Sequence, residues 1–152
     1  MYLKDNKMKS IIFICLGNIC RSSLAEGIAK KQAKDRELKL RIESAGLSRY
    51  HNGEAPCDMS QLLASQYGID ISQQRSQHVS EFDLDTFDLV VAMDESNFME
   101  LKSLGVINLV KLGDYGFDGE DVADIYYYPK QAEYVYDMLD TSIEKILLVF
   151  DP

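Results

Sequence analysis

Ser10-Ile11-Ile12-Phe13-Ile14-Cys15-Leu16-Gly17-Asn18-Ile19-Cys20-Arg21-Ser22-Ser23-Leu24-Ala25-Glu26 is the stretch on which the fold turns. Ser10 to Cys15 is a short apolar run without alternation, the pattern of a strand buried on both faces in a parallel sheet. Ser23-Leu24-Ala25-Glu26 has the S-x-x-E form of a capping box, and Leu24, Ile28 and the alanines continue at helical spacing to about Asp35. A strand that passes through a tight loop into a helix is the opening unit of an alternating α/β chain.

Outward from this unit the alternation repeats. Leu38 to Ser44 reads as a second strand, ending in Ser44-Ala45-Gly46, and a helix from about Cys57 closes at Gly68. The polar segment Ser72 to Ser80 leads to a short helix around Glu81 to Phe87, then to a third buried strand, Asp88 to Met93. Asp94 to Leu104 is an amphipathic helix, Ile107 to Leu112 a fourth strand, and Gly113 to Tyr128 an acidic, aromatic loop. Pro129 opens a last helix to about Phe150, where proline suits a first helical turn. The expectation is a single doubly wound, three-layer α/β domain over residues 1–152, with a four-stranded parallel sheet and helices on both faces.

Composition narrows the function. At 152 residues, 46% apolar and 27% charged, the chain is a globule rather than a disordered segment. Its formal charge of -9 repels nucleic acid and anionic membrane surfaces, so neither is expected as a partner. Attraction for a phosphate must come from a local device. The longest apolar stretch, Ile11 to Leu16, is far shorter than the ~20 residues of a membrane span. Lys4, Lys7 and Lys9 imitate the basic start of a secretory signal, but the apolar run is too short to complete one. Three cysteines, an odd count, argue against a disulfide framework and for a reducing, cytoplasmic setting.

The local device is Cys15 to Arg21-Ser22, of the form C-x5-R-S. A bare C-x5-R arises by chance in about one chain in ten of this composition, so the context carries the signal. Between a strand and a helix, the amides of Leu16, Gly17, Asn18, Ile19, Cys20 and Ser22 can cradle a phosphate dianion with help from the helix dipole. Gly17 permits tight curvature. Arg21 offers a bidentate fork of donors to two phosphate oxygens. The same surroundings favour Cys15 as a thiolate nucleophile beneath the phosphorus. Ser22 can donate its hydroxyl to that thiolate, and Asn18 can brace the loop against Ser44.

The remaining candidates read more plainly. Cys15 and Cys20 are spaced C-x4-C, with only Cys57, His51 and His78 as scattered further donors, so neither a metal site nor any cofactor is expected. Cys57 reads as an ordinary helix residue. His51 and His78 read as structural or surface hydrogen-bonding groups.

Cys15 to Ser22 resembles the signature loop of the low-molecular-weight protein tyrosine phosphatases, and the resemblance extends over nearly the whole chain. Ser44-Ala45-Gly46, Phe87-Asp88-Leu89-Val90-Val91-Ala92-Met93-Asp94 and Val122-Ala123-Asp124-Ile125-Tyr126-Tyr127 are similar to that family's second-strand end, third strand and general-acid loop. The resemblance implies hydrolysis of phosphotyrosine, in proteins or small aryl phosphates, through a cysteinyl-phosphate intermediate. Cys15 is then the nucleophile, Arg21 the phosphate clamp and Asp124 the general acid and base. It further implies pocket walls from Tyr50 and Tyr126, loop support from Ser44 and a reversible disulfide of Cys20 with Cys15, beside the plainer reading of Cys20 as a small packed side chain; a monomer or weak dimer is expected. Ala123, Ile125 and Tyr128 stand where the family usually has two prolines and a glycine, Ser23 where it has proline, and Gln73 and Gln74 where it often has histidine.

Three other functions compete. A thioredoxin-coupled arsenate reductase needs further cysteines after the third strand, and none is present. Protein arginine phosphatases carry threonine where this chain has Ile19, and an apolar side chain suits an aromatic ring. A silent phosphate-binding module would be expected to lose Asp124 or Arg21, and both are present.

Overall fold

The structure is a computed structural model that describes residues 8–150; Lys4, Lys7 and both ends of the expected domain lie outside the described residues. The elements are β1 (Lys9–Cys15), α1 (Arg21–Asp35), β2 (Leu40–Gly46), α2 (Asp58–Gln66), β3 (Leu89–Ala92), α3 (Glu95–Ser103), β4 (Leu109–Lys111) and α4 (Ala132–Leu147). The four strands lie in the order β2-β1-β3-β4, every pairing parallel. This is the doubly wound α/β sheet expected.

The unbroken apolar run of β1 follows from its central place. Ile11 and Phe13 point into a core shared with Leu24 and Ile28 of α1, Leu63 of α2 and Leu139 and Ile143 of α4. Ile12 and Ile14 point the other way, against Val90 and Ala92 of β3 and Leu101 of α3. Because side chains alternate across a strand, two cores demand apolar residues at every position. After β1 the chain moves to β2 on one side and later reaches β3 on the other. The loop leaving β1 therefore lies at the point where the strand order reverses, the place where open α/β sheets bind ligands.

Several expectations need correction. Helix α1 begins at Arg21, and the capping box is not formed: Ser23 Oγ donates to the Cys20 carbonyl at 3.1 Å, and Glu26 binds Ser44 and Lys30 instead. The segment around Glu81 to Phe87 is two 3-10 turns, Val79–Glu81 and Leu84–Thr86. Pro129 opens a 3-10 turn, Pro129–Gln131, ahead of α4. The absence of a disulfide is also overturned, because Cys20 is bonded to Cys57 with 5.4 Å between their Cα atoms. The start of α2 is drawn onto the loop by Cys57 N–H donating to the Ile19 carbonyl at 2.6 Å and by Ser60 Oγ donating to the Cys20 carbonyl at 3.0 Å. An odd cysteine count allows one bond and leaves Cys15 as the free thiol among the described residues. No helix among these residues is long and apolar enough to cross a membrane.

Candidate active site

The loop from Cys15 to Ser22 closes around the Cys15 sulfur. Asn18 N–H points at Cys15 Sγ over 3.2 Å, and Ser22 Oγ lies 3.0 Å from the same atom. The left-handed residue of the loop is Asn18, at φ 57°, not Gly17. An asparagine tolerates that conformation best when its side chain is bonded locally. Here the amide is fully used: Nδ2 donates to Ser22 Oγ at 2.8 Å and to Ser44 Oγ at 2.9 Å, while Oδ1 accepts from Gln77 N–H at 3.0 Å. Glycine is needed elsewhere for a close approach. A Cβ on Gly46, at the end of β2, would stand 2.8 Å from the Leu16 carbonyl oxygen.

These bonds have a direction. The Gln77 amide fixes which end of the Asn18 side chain is the oxygen, so Asn18 must donate to both hydroxyls. Ser44 then gives its own proton to Glu26 Oε1 at 2.5 Å, and Ser22 has its proton free for the Cys15 sulfur. Glu26 is buried and also meets Lys30 Nζ at 2.5 Å. Gln74, in the polar segment, donates to the Ser23 carbonyl at 3.1 Å and so steadies the first turn of α1.

Arg21 is 5% exposed and faces three oxygens. Its Nη1 donates to Asp94 Oδ2 at 2.6 Å and to the Val122 carbonyl at 3.1 Å, and its Nη2 lies 3.7 Å from Asp124 Oδ2. Burial works against the guanidinium's charge, but the negative charge at Cys15, the hydrogen bond donated to Asp94 and the charges of Asp124 and Asp94 outweigh it and hold its pKa above the ordinary value. In the sequence Asp94 reads as the first residue of a helix and the end of the third-strand segment, with no sign of a link to Arg21; the structure makes it the residue before α3. Its Oδ1 caps α3 by accepting from Asn97 N–H at 2.7 Å, and its other oxygen holds Arg21.

The segment carrying Asp124 is pinned without its two usual prolines. Val122 N–H donates to the Met93 carbonyl, Val122 and Ile125 are buried, and Asp121 accepts from Glu95 N–H at 3.0 Å and from Lys111 Nζ at 2.6 Å. Asp124 Oδ1 accepts from Tyr126 N–H at 3.1 Å, and its carbonyl accepts from Tyr127 and Tyr128 N–H. Ile125 replaces a ring constraint with an anchor in the core.

Cys15, Leu16, Gly17, Ile19, Cys20, Arg21, Tyr50, Asp124 and Tyr126 all line one cleft of about 460 Å³. Asn18, Ser22 and Ser44 stand behind it as the hydrogen-bonded backing just described. Tyr50 is at the outer rim, 84% exposed. The wall the sequence reading missed is His51, whose ring centre lies 4.7 Å from that of Tyr50 and 6.1 Å from that of Tyr126, with its edge over Gly17. Only its position next to Tyr50 hinted at this. Ser48 and Tyr127 complete the lining. Cys20, which the resemblance pairs reversibly with Cys15, is bonded to Cys57 in this structure. Among the described residues, no group of three or more His, Cys, Asp or Glu side chains is arranged to hold a metal ion.

The model of the low molecular weight phosphotyrosine protein phosphatases matches residues 10–150. The chain belongs to this family. Its phosphatase relatives include YfkJ of Bacillus subtilis, 37% identical over 148 residues that cover 92% of this chain and 94% of that protein. PtpA of Staphylococcus aureus is 34% identical and covers 92% of each chain. Both are named as low molecular weight protein-tyrosine-phosphatases. The crystal structure of YfkJ superposes with a TM-score of 0.88, covering 95% of this chain and 96% of its own. A Drosophila arginine phosphatase gives 0.85 at 28% identity, covering 95% of this phosphatase and 99% of its own chain. The fold alone thus does not separate the two substrate classes.

Proposed function

We propose that this phosphatase hydrolyses phosphotyrosine in proteins, and small aryl phosphates, in two steps. The Cys15 thiolate attacks phosphorus in line, while Arg21 and the amides of residues 16–22 hold the equatorial oxygens, where transition-state charge gathers. Asp124 protonates the leaving phenolate and then takes a proton from the water that hydrolyses the cysteinyl phosphate. Ser22 stabilises the sulfur as it leaves in the second step. The charge work falls to Arg21 and the amides, so the reading calls for no metal.

The observation that carries this reading is the meeting of Cys15, Arg21 and Asp124 in one cleft, with Arg21 between the Asp94 and Asp124 carboxylates. Tyr50, His51 and Tyr126 make that cleft a slot for a flat ring, and buried Ile19 presents no hydroxyl to a guanidinium. These features favour phosphotyrosine over phosphoarginine. We place the protein in the cytoplasm as one domain, a monomer or weak dimer.

The test is phosphate release, with chelator present, from matched phosphotyrosine and phosphoarginine peptides by the wild type and Cys15→Ser. Release from phosphotyrosine that disappears in the variant is expected. Preference for phosphoarginine would overturn the reading of the pocket, and silence on both would overturn the activity.

A further inference from the structure

Cys57 is not explained by the proposed chemistry. It lies outside the cleft, immediately before the first turn of α2, yet it is bonded to Cys20, a residue of the loop that holds Cys15. Cys20 thus belongs both to the wall of the cleft that contains the free thiol and to a bond reaching out of it. Two loop–helix hydrogen bonds, Cys57 N–H to Ile19 and Ser60 Oγ to Cys20, hold the partners together independently of the sulfurs.

We propose that Cys57 is the terminal thiol of a three-cysteine relay that returns Cys15 to its reduced form after attack by peroxide. This rests on Cys15 being the nucleophile. A thiolate accessible to substrate is also accessible to hydrogen peroxide, which transfers one oxygen to give the Cys15 sulfenic acid and water. The Cys20 thiol, on the same cleft and with four residues between it and Cys15, condenses with the sulfenic acid; a Cys15–Cys20 bond forms and a second water leaves. The Cys57 thiolate then attacks the Cys20 sulfur, the Cys20–Cys57 bond forms, and Cys15 departs as a thiolate. In sum, one peroxide is reduced to two waters, Cys20 and Cys57 lose two electrons, and Cys15 is unchanged. The end state of this sequence is the arrangement in the structure, with Cys20–Cys57 bonded and Cys15 free. A dithiol reductant resets the relay.

The experiment exposes fully reduced protein to one equivalent of peroxide, quenches with catalase, and follows phosphotyrosine hydrolysis without reductant, for the wild type and Cys57→Ser. Both proteins are first assayed in dithiothreitol; absence of activity there would sink the nucleophile assignment rather than the relay. Wild type is expected to lose activity and regain it unaided, with mass spectrometry of the recovered protein finding Cys20 joined to Cys57. Cys57→Ser is expected to stay inactive until dithiothreitol is added, with Cys15 joined to Cys20. Equal recovery of the two proteins, permanent loss in the wild type, or a recovered protein with Cys15 in a disulfide would each overturn the relay.

Discussion

Asp94 holds Arg21 by a 2.6 Å hydrogen bond from Nη1, while its second oxygen caps the helix that follows β3. One carboxylate thereby ties the orientation of the loop's guanidinium to the start of α3. A guanidinium with a fixed partner loses little freedom when it meets a phosphate, which is how a clamp gains from preorganisation.

Asp94→Asn separates the two duties, since asparagine is as good a cap as aspartate but brings no charge to Arg21. Its kcat/KM is expected to fall by about 10- to 100-fold through misplacement of Arg21. Circular dichroism should be unchanged. A loss equal to that of a globally unfolded fraction would assign the residue to stability alone.

For Asp124→Ala the loss should depend on the leaving group. A phenol with pKa near ~10 leaves poorly, so a turnover loss on the order of 10²- to 10⁴-fold is expected with phosphotyrosine. A much smaller loss is expected with an aryl phosphate of low leaving-group pKa. Equal small losses for both substrates would remove Asp124 from the proton transfer.

Ser22→Ala withdraws the hydroxyl proton that the Asn18 amide directs at Cys15. A hydrogen bond to a charged group is worth about 1.5–3 kcal/mol, so turnover should fall roughly 10- to 100-fold. If the effect falls on departure of the thiolate, rapid-quench measurements should find more phosphoenzyme during turnover than in the wild type. Less phosphoenzyme would place the effect on the first step.

Most of this scaffold was legible in the sequence. The apolar runs of β1 and β3 could only be central strands, and the loop after β1 could only lie at the sheet's carboxyl edge. The first turn of α1 was misplaced because two local bonds compete for Ser23, and the Cys20 carbonyl wins over the capping pattern. The partners of Arg21 were hidden for another reason: Asp94 is 73 positions away, and nothing in either residue's neighbours announces the other. The same holds for Cys20 and Cys57, separated by 37 positions and joined only once α2 packs on the loop. His51 was passed over because its role depends on which way a loop turns its ring.

Tyr136 stacks on Tyr67 with ring centres 3.8 Å apart, and burial, with the nearby charges of Asp140, Tyr67 and Asp137, pushes its phenol up to about 12. The folded state therefore keeps this proton when an unfolded chain, titrating near ~10, has lost it. Its contribution to stability is complete below about pH 10 and is lost as pH rises toward about 12. Ultraviolet titration should find the latest phenolate missing in Tyr136→Phe, and that variant should have a flatter stability profile over this window.

In Gly46→Ala the new methyl meets the Leu16 carbonyl oxygen at 2.8 Å and the Gly17 carbonyl carbon at 3.0 Å. Overpacking of this kind costs about 1–3 kcal/mol. Weaker inhibition by inorganic phosphate should accompany it, because the displaced backbone is the loop itself. Unaltered phosphate inhibition would mean that β2 yields instead of the loop.

The two carboxylates on Arg21 are unequal, at 2.6 Å for Asp94 and 3.7 Å for Asp124. An arriving phosphate dianion thus enters a trade of partners, and Asp124 has the looser hold to give up. Once released, Asp124 keeps only the Tyr126 N–H on its other oxygen, which leaves Oδ2 free to meet a leaving group. Substrate entry and the freeing of this carboxylate oxygen are then expected as a single event, so the group is uncovered only when there is a bond to break.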